Sequence, residues 1–132
     1  MHLKLMFIDD DADEFIIFEE VKPHLPFKVE ISYVLGADSA IDMLKTYHPD
    51  IIFVDVNMPK INGFECIKKI RSLNELNEVP IVMFSNGVNA DLKLKAEKSG
   101  ANGCLKKLSN NKAMAANIQQ LLEVLLPNKV NN

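Results

Sequence analysis

The sequence is short of the residues that cross-link small proteins or bind zinc. Only two of its 132 residues are cysteines, Cys66 and Cys104, and neither has a second Cys or a His at a metal-binding spacing. Both lie within apolar patterns. This argues against a disulfide framework or a zinc site and favours buried, reduced thiols.

Positive charge and long apolar runs are also scarce. The formal net charge of -3 provides no broad basic surface for phosphate backbones, so we expect no direct binding to nucleic acid. The apolar start of the chain meets an acidic cluster after eight residues, too soon for a signal peptide. No run approaches the length of a membrane span. We therefore expect a cytoplasmic protein with no membrane partner.

Short apolar runs alternate with helical patterns five times along the chain. The predicted strands cover residues 3–8, 29–35, 51–54, 80–84 and 102–105. The predicted helices cover residues 12–22, 37–48, 64–73 and 88–99, with a last helix between residues 109–111 and Pro127. Strict alternation predicts a parallel sheet with right-handed crossovers. The expected fold is α/β, a flavodoxin-like, doubly wound, five-stranded parallel sheet of order 2-1-3-4-5 with helices on both faces.

Polar residues follow several of these strands directly. In the order 2-1-3-4-5 the first and third strands are neighbours, and the carboxyl ends of parallel strands meet at one edge of the sheet. The residues expected to converge there are Asp9, Asp10, Asp55, Ser85 and either Lys106 or Lys107.

Clustered carboxylates raise one another's pKa unless a cation neutralises them. Oxygen ligands suit a hard divalent ion, and Mg²⁺ is the expected one. An Asp within such a cluster can act as nucleophile on a phosphoryl group. A lysine would supply positive charge, and the Ser85 hydroxyl would donate a hydrogen bond to a phosphoryl oxygen.

This set of residues resembles the receiver domain of two-component response regulators, in order and spacing, over residues 3–126. The resemblance rests on Asp9-Asp10, Asp55-Val56-Asn57-Met58-Pro59, Ser85 and Gly100-Ala101-Asn102-Gly103 with Lys107. It implies that Asp55 is the phospho-acceptor and that Lys107, not Lys106, is the phosphate-pairing lysine. It also implies that Ser85 is the switch hydroxyl. The implied Mg²⁺ ligands are Asp10, Asp55 and the backbone carbonyl of Asn57, with Asp9 acting mostly through water.

The resemblance also implies the partners and the domain plan. A sensor histidine kinase or histidine phosphotransfer protein would donate the phosphoryl group, and an unknown downstream protein would read the result. We expect a receiver domain over residues 1–126 and a short polar tail over 127–132, with no output domain. The protein would be a signalling switch that phosphorylates and dephosphorylates only itself.

Three residues depart from the family pattern where phosphorylation would be communicated outward. Cys104 replaces the usual aromatic on the fifth strand, and Asn86 replaces a small residue after the switch hydroxyl. Leu108 replaces the proline after the lysine, so we predict a trans Lys107–Leu108 peptide bond. The surface around Cys104 is the expected docking face for a partner.

Three other functions compete with this one. The departures would suit a degenerate receiver that acts as a constitutive protein-interaction scaffold. A phosphatase of the haloacid-dehalogenase type also uses an Asp at a strand end, but its general acid would stand where this chain has Asn57. A flavin or dinucleotide binder is disfavoured because the turn after the first strand is acidic instead of glycine-rich.

Overall fold

Five parallel strands form one sheet in the order β2-β1-β3-β4-β5, as predicted. The structure is a computed structural model that describes residues 2–58 and 60–130. The strands are β1 (His2–Asp9), β2 (Lys28–Leu35), β3 (Ile51–Asp55), β4 (Ile81–Ser85) and β5 (Gly103–Lys106). Every residue of β3 and β4 is buried, which agrees with their continuous apolar sequences.

Helices cover both faces of the sheet. They are α1 (Ala12–Val21), α2 (Ala37–Met43), α3 (Gly63–Arg71), α4 (Ala90–Ser99), α5 (Asn111–Leu125) and a single turn, α6 (Pro127–Val130), with 3₁₀ turns at Lys22–His24 and Asn74–Leu76. Strand residues alternate between two hydrophobic clusters, so Phe53 packs beneath α1 and α5 while Val54 packs beneath α2, α3 and α4. None of the helices within the described residues is both long and apolar enough to cross a bilayer.

Helices α2 and α4 have boundaries that differ from the sequence expectation. Helix α2 ends at Met43 instead of His48, because the amides of Lys45 and Thr46 donate to carbonyls three residues back and tighten the chain into turns. Helix α4 starts at Ala90 instead of Val88, because the Asn89 side chain caps it at 2.8 Å from the amide of Leu92.

The chain end also differs from a plain polar tail. Helix α5 ends before Pro127 as predicted, but Pro127 then begins α6, where proline suits the first turn. Val130 of α6 packs against the cluster beneath α1 and α5. Residues 131–132 of the predicted tail lie outside the described residues, as does Pro59.

The predictions for the loops near the sheet edge are met in part. No peptide bond among the described residues is cis, so Lys107–Leu108 is trans as predicted. Gly100 ends α4 with a φ of 110°, the left-handed cap conformation.

Both cysteine thiols are free, and Cys66 is buried as predicted. Cys104 is only half-buried, because β5 is the edge strand and is partly open.

Candidate functional site

Polar residues end three neighbouring strands at the carboxyl edge of the sheet. Asp9 is the last residue of β1, Asp55 of β3 and Ser85 of β4, and they are 2%, 5% and 7% exposed. Of the buried polar residues in the described chain, only Ser99 lies elsewhere. Each follows an apolar strand that is packed on both faces, so the fold holds these three groups out of bulk water at one edge.

Lys107, not Lys106, reaches this edge. The Lys107 amide donates to the Ser85 carbonyl at 2.8 Å, which aligns the chain just beyond β5. Its ammonium lies 2.9 Å from Asp55 Oδ1 and 3.4 Å from Glu14 Oε1. The ring of Phe84 lies 4.9 Å below the ammonium and adds a cation–π contact. Lys106 is exposed.

Burial and neighbouring charge shift the pKa of two of these groups. Burial, and then the nearby Asp55 charge, raise the pKa of Asp9 to about 6, although amide hydrogen bonds and Lys107 oppose the shift. Burial alone would lower the pKa of Lys107, but the hydrogen bond and charge of Asp55, helped by Glu14 and Asp9, raise it instead. The site therefore holds a firmly protonated lysine among carboxylates.

Asp9 also has an oxygen that the protein leaves unpaired. Its Oδ1 accepts from the amides of Asp10 and Asp11, at 2.7 and 3.2 Å, whereas Oδ2 is buried with no hydrogen-bond partner. A buried carboxylate oxygen without a partner is costly, and a bound cation would relieve that cost.

Asp10 and Asn57 lie just beyond the ends of β1 and β3. Both are exposed, and Asp10 Oδ1 lies so close to Gly36 that a Cβ there would stand 3.1 Å from it. Within residues 2–58 and 60–130, no three acidic, His or Cys side chains form a ready metal cluster. The unpaired Asp9 oxygen and the oxygen-only donor set nevertheless fit a hard divalent cation.

Glu14 and Gly63 shape the site although the sequence patterns did not single them out. A Cβ on Gly63 would lie 2.4 Å from the Asp55 carbonyl oxygen, so only glycine lets α3 start against the end of β3. Asn62 caps α3 beside it, accepting from the Glu65 amide at 2.9 Å and donating to the Glu65 carboxylate at 3.2 Å. The Asn-Gly pair itself signals only a turn, and the Glu14 contact spans 93 residues.

The three departing residues lie around the site and not within its buried centre. Asn86 is exposed in the loop after β4, where the Gly87 amide donates to Ser85 Oγ at 3.4 Å. Leu108 is half-buried against the cluster beneath α1 and α5. Cys104 lines two surface cavities with Leu121 on the β5 side of the sheet.

Comparison with known proteins agrees with the fold. Residues 5–119 match the family model described as "Response regulator receiver domain". The chain is 26% identical over 106 residues to the chemotaxis protein CheY1 of Helicobacter pylori, covering 80% of this chain and 85% of that protein. It is 30% identical over 122 residues to the CpxR homolog of Haemophilus influenzae, a transcriptional regulatory protein, covering 90% of this chain and 50% of that protein.

A solved structure supports the same architecture. The phosphorylated cyanobacterial phytochrome response regulator RcpA superposes with a TM-score of 0.80 at 22% identity, covering 97% of this chain and 96% of that one. In six of the curated relatives the chain spans only 22% to 50% of the full length. The family match covers most of this chain, and the sheet order agrees with it. The chain therefore belongs to the response regulator receiver domain family of two-component signalling.

Proposed function

We propose that this protein is a phosphorylation switch in which Asp55 accepts a phosphoryl group. The observation that carries the proposal is the pairing of a buried Asp55 with the Lys107 ammonium at 2.9 Å, beside a second buried carboxylate with an unpaired oxygen. The pairing supplies a nucleophile, a positive charge and a place for a cation in one small volume. Phosphoryl transfer needs mainly positioning and charge neutralisation, and this volume offers both.

The chemistry is a transfer from a phosphohistidine to a carboxylate. An Asp55 oxygen attacks phosphorus, forming an O–P bond as the N–P bond breaks, and the imidazole nitrogen keeps the bonding electron pair. Lys107 then pairs with a phosphoryl oxygen in place of the Asp55 oxygen. Ser85 donates its hydroxyl to another phosphoryl oxygen. Hydrolysis of the acyl phosphate returns the carboxylate, so the protein acts on itself and turns over no separate substrate.

Mg²⁺ is the proposed cofactor. Asp9, Asp10, Asp55 and the Asn57 backbone carbonyl are the groups that would hold it. When bound, the ion neutralises the clustered carboxylates and the charge that develops on the phosphoryl oxygens. The protein's own part is to keep Asp9 and Asp55 buried and aligned by ending β1 and β3 at the same height.

The partners follow from this chemistry and from family membership. The phosphoryl donor is a sensor histidine kinase or a histidine phosphotransfer protein, and a downstream protein that is not yet known reads the phosphorylated state. Ser85, Asn86, Cys104 and Leu108 are the residues through which the signal would pass. A thiol at position 104 cannot fill the volume of an aromatic ring, so the outward signal relies on the loop after β4 more than on a ring changing its rotamer.

Intact-mass spectrometry after incubation with Mg²⁺ and phosphoramidate tests the proposal. We expect one phosphoryl adduct in the wild type and none in Asp55→Asn. Asp91→Asn, which removes an exposed acid from the first turn of α4, is the matched control and should form the adduct normally. Absence of an adduct in the wild type, or an unchanged adduct in Asp55→Asn, would overturn the proposal.

A further inference from the structure

Glu14 is a second carboxylate in contact with Lys107, the lysine proposed to pair with the phosphoryl group. Glu14 lies in the first turn of α1, and its Oε1 is 3.4 Å from Lys107 Nζ, which at the same time is 2.9 Å from Asp55 Oδ1. No motif that implies the phosphorylation chemistry includes Glu14. The contact joins α1 to the loop after β5 across 93 residues of sequence.

This ion pair differs from an ordinary surface salt bridge. Exposed pairs contribute little because water screens them and both long side chains must be ordered. Here the Lys107 and Glu14 side chains are only 16% and 26% exposed. The lysine backbone is already held by the Ser85 carbonyl, and its ammonium is placed over the Phe84 ring. Other contacts therefore already order the Lys107 side chain, and the Glu14 carboxylate interacts with its ammonium at short range.

The charges in the site show what Glu14 does there. Asp9, Asp55 and Glu14 face a single lysine, so the site has an excess of negative charge before any phosphoryl group arrives. An ammonium has three donors, and two of them already point to carboxylates. A phosphoryl group on Asp55 adds negative charge and must share Lys107 with Glu14.

We propose that Glu14 is a positioning residue that withholds part of the Lys107 charge from the phosphoryl group on Asp55. This inference rests on the proposed function. It predicts that the protein takes up and holds the phosphoryl group less strongly than its Asp55, Ser85 and Lys107 would allow alone. Glu14 thus sets the balance between the resting and phosphorylated states without touching the phosphorus atom.

Equilibrium binding of beryllofluoride at saturating Mg²⁺ tests the inference, because the probe mimics the phosphoryl group on Asp55. We expect Glu14→Gln, which keeps the shape and removes the charge, to lower the Kd by about three- to tenfold. Glu14→Asp keeps the charge but shortens its reach, and its Kd should lie between those of the wild type and Glu14→Gln. The gain of Glu14→Gln should shrink as salt is raised.

Asp13→Asn is the matched control, because it removes a carboxylate from the same turn of α1 that is not ion-paired with Lys107 in the described structure. Its Kd should stay within about twofold of the wild type. The ¹⁹F resonances of the bound fluorides should move in Glu14→Gln and not in Asp13→Asn, which a merely structural role for Glu14 would not produce.

The outcomes separate the two proposals. If the wild type binds the probe and Glu14→Gln has an equal or higher Kd, the inference about Glu14 is wrong and the proposed function stands. The same holds if Asp13→Asn gains as much as Glu14→Gln. If the wild type fails to bind the probe, or binds it no more tightly than Asp55→Asn does, the proposed function fails and the inference fails with it.

Discussion

Two charged regions lie at opposite edges of the same sheet, and they differ in how fully their charged groups are hydrogen-bonded. At the carboxyl edge, Asp9 has a buried oxygen with no partner, and Lys107 is shared between two carboxylates. At the amino edge, Arg71 of α3 lies between the loops that lead into β4 and β5. Its guanidinium donates to the carbonyls of Gly100, Leu76 and Val79 and to Asn102 Oδ1, at 2.9, 2.8, 2.7 and 2.6 Å.

The difference separates a structural charge from a reactive one. Burial lowers the pKa of Arg71, but arginine remains charged, and its short hydrogen bonds fix the two loops to α3. Asn102 extends this network, because its Oδ1 also accepts from the Ile81 amide at the start of β4, at 2.9 Å. At the amino edge each nitrogen of the Arg71 guanidinium donates to an acceptor, whereas at the carboxyl edge Asp9 keeps an unpaired oxygen that a cation would use.

The largest expected loss of stability comes from removing the Arg71 guanidinium. Arg71→Met should lower the free energy of unfolding by about 2–4 kcal/mol, because several carbonyls lose charge-assisted hydrogen bonds at once. Urea unfolding followed by circular dichroism measures the loss. Phosphoryl adduct formation per folded molecule should be unchanged, since Arg71 lies at the other edge of the sheet.

Lys69→Met is the control for that variant, because it removes an exposed positive charge from the same helix. It should change stability by less than about 0.5 kcal/mol. Equal losses in the two variants would show that the Arg71 network does not stabilise the amino edge.

A smaller loss is expected where Gly100 faces Arg71. Gly100→Ala should cost about 1–2 kcal/mol, because its φ is 110° and the new Cβ would stand 2.8 Å from Arg71 Cγ. Gly87→Ala is the control, since a Cβ at Gly87 would meet nothing within 4 Å. If urea unfolding shows the two variants to be equally stable, the close packing of Gly100 on Arg71 does not contribute to stability.

The smallest effect should have the opposite sign. Asp9→Asn should raise the free energy of unfolding by about 1 kcal/mol in EDTA, because it removes a buried, partly unpaired charge beside Asp55. The same variant should lose most of the stabilisation that Mg²⁺ gives the wild type in thermal melts.

Asp91→Asn, which removes an exposed acid on α4, serves as the control and should respond to Mg²⁺ as the wild type does. A destabilised Asp9→Asn in EDTA would contradict the view that the carboxyl edge stores unfavourable charge.

The comparison of the two edges also shows what the sequence could predict. Asp9, Asp55 and Ser85 each end an apolar run, so hydrophobic periodicity and the sheet order were enough to bring them together. The choice between Lys106 and Lys107 came from the family resemblance, because adjacent residues at a strand end differ only in the direction of their side chains. The structure places Lys107 at the site through its backbone bond to Ser85.

Long-range contacts explain what the sequence could not predict. In the sequence, Arg71 is one of several basic residues on the polar face of α3. Its hydrogen-bond acceptors lie 5 to 31 residues away in two loops. Glu14 reads as a favourable acid in the first turn of a helix, and its lysine is 93 residues away. Local hydrogen bonds set two helix boundaries that the apolar pattern ran past: the Asn89 cap before α4, and the turns after Met43 that end α2.

The most direct test of the central claim locates the phosphoryl group on the chain. The protein is incubated with Mg²⁺ and phosphoramidate, reduced with borohydride, which converts an aspartyl phosphate to homoserine, and mapped by peptide mass spectrometry. Asp55 is the buried carboxylate that Lys107 contacts, so homoserine should appear at position 55 and at no other acid. Homoserine at position 9, 10 or 14, or at no position, would contradict the assignment of Asp55 as the phospho-acceptor.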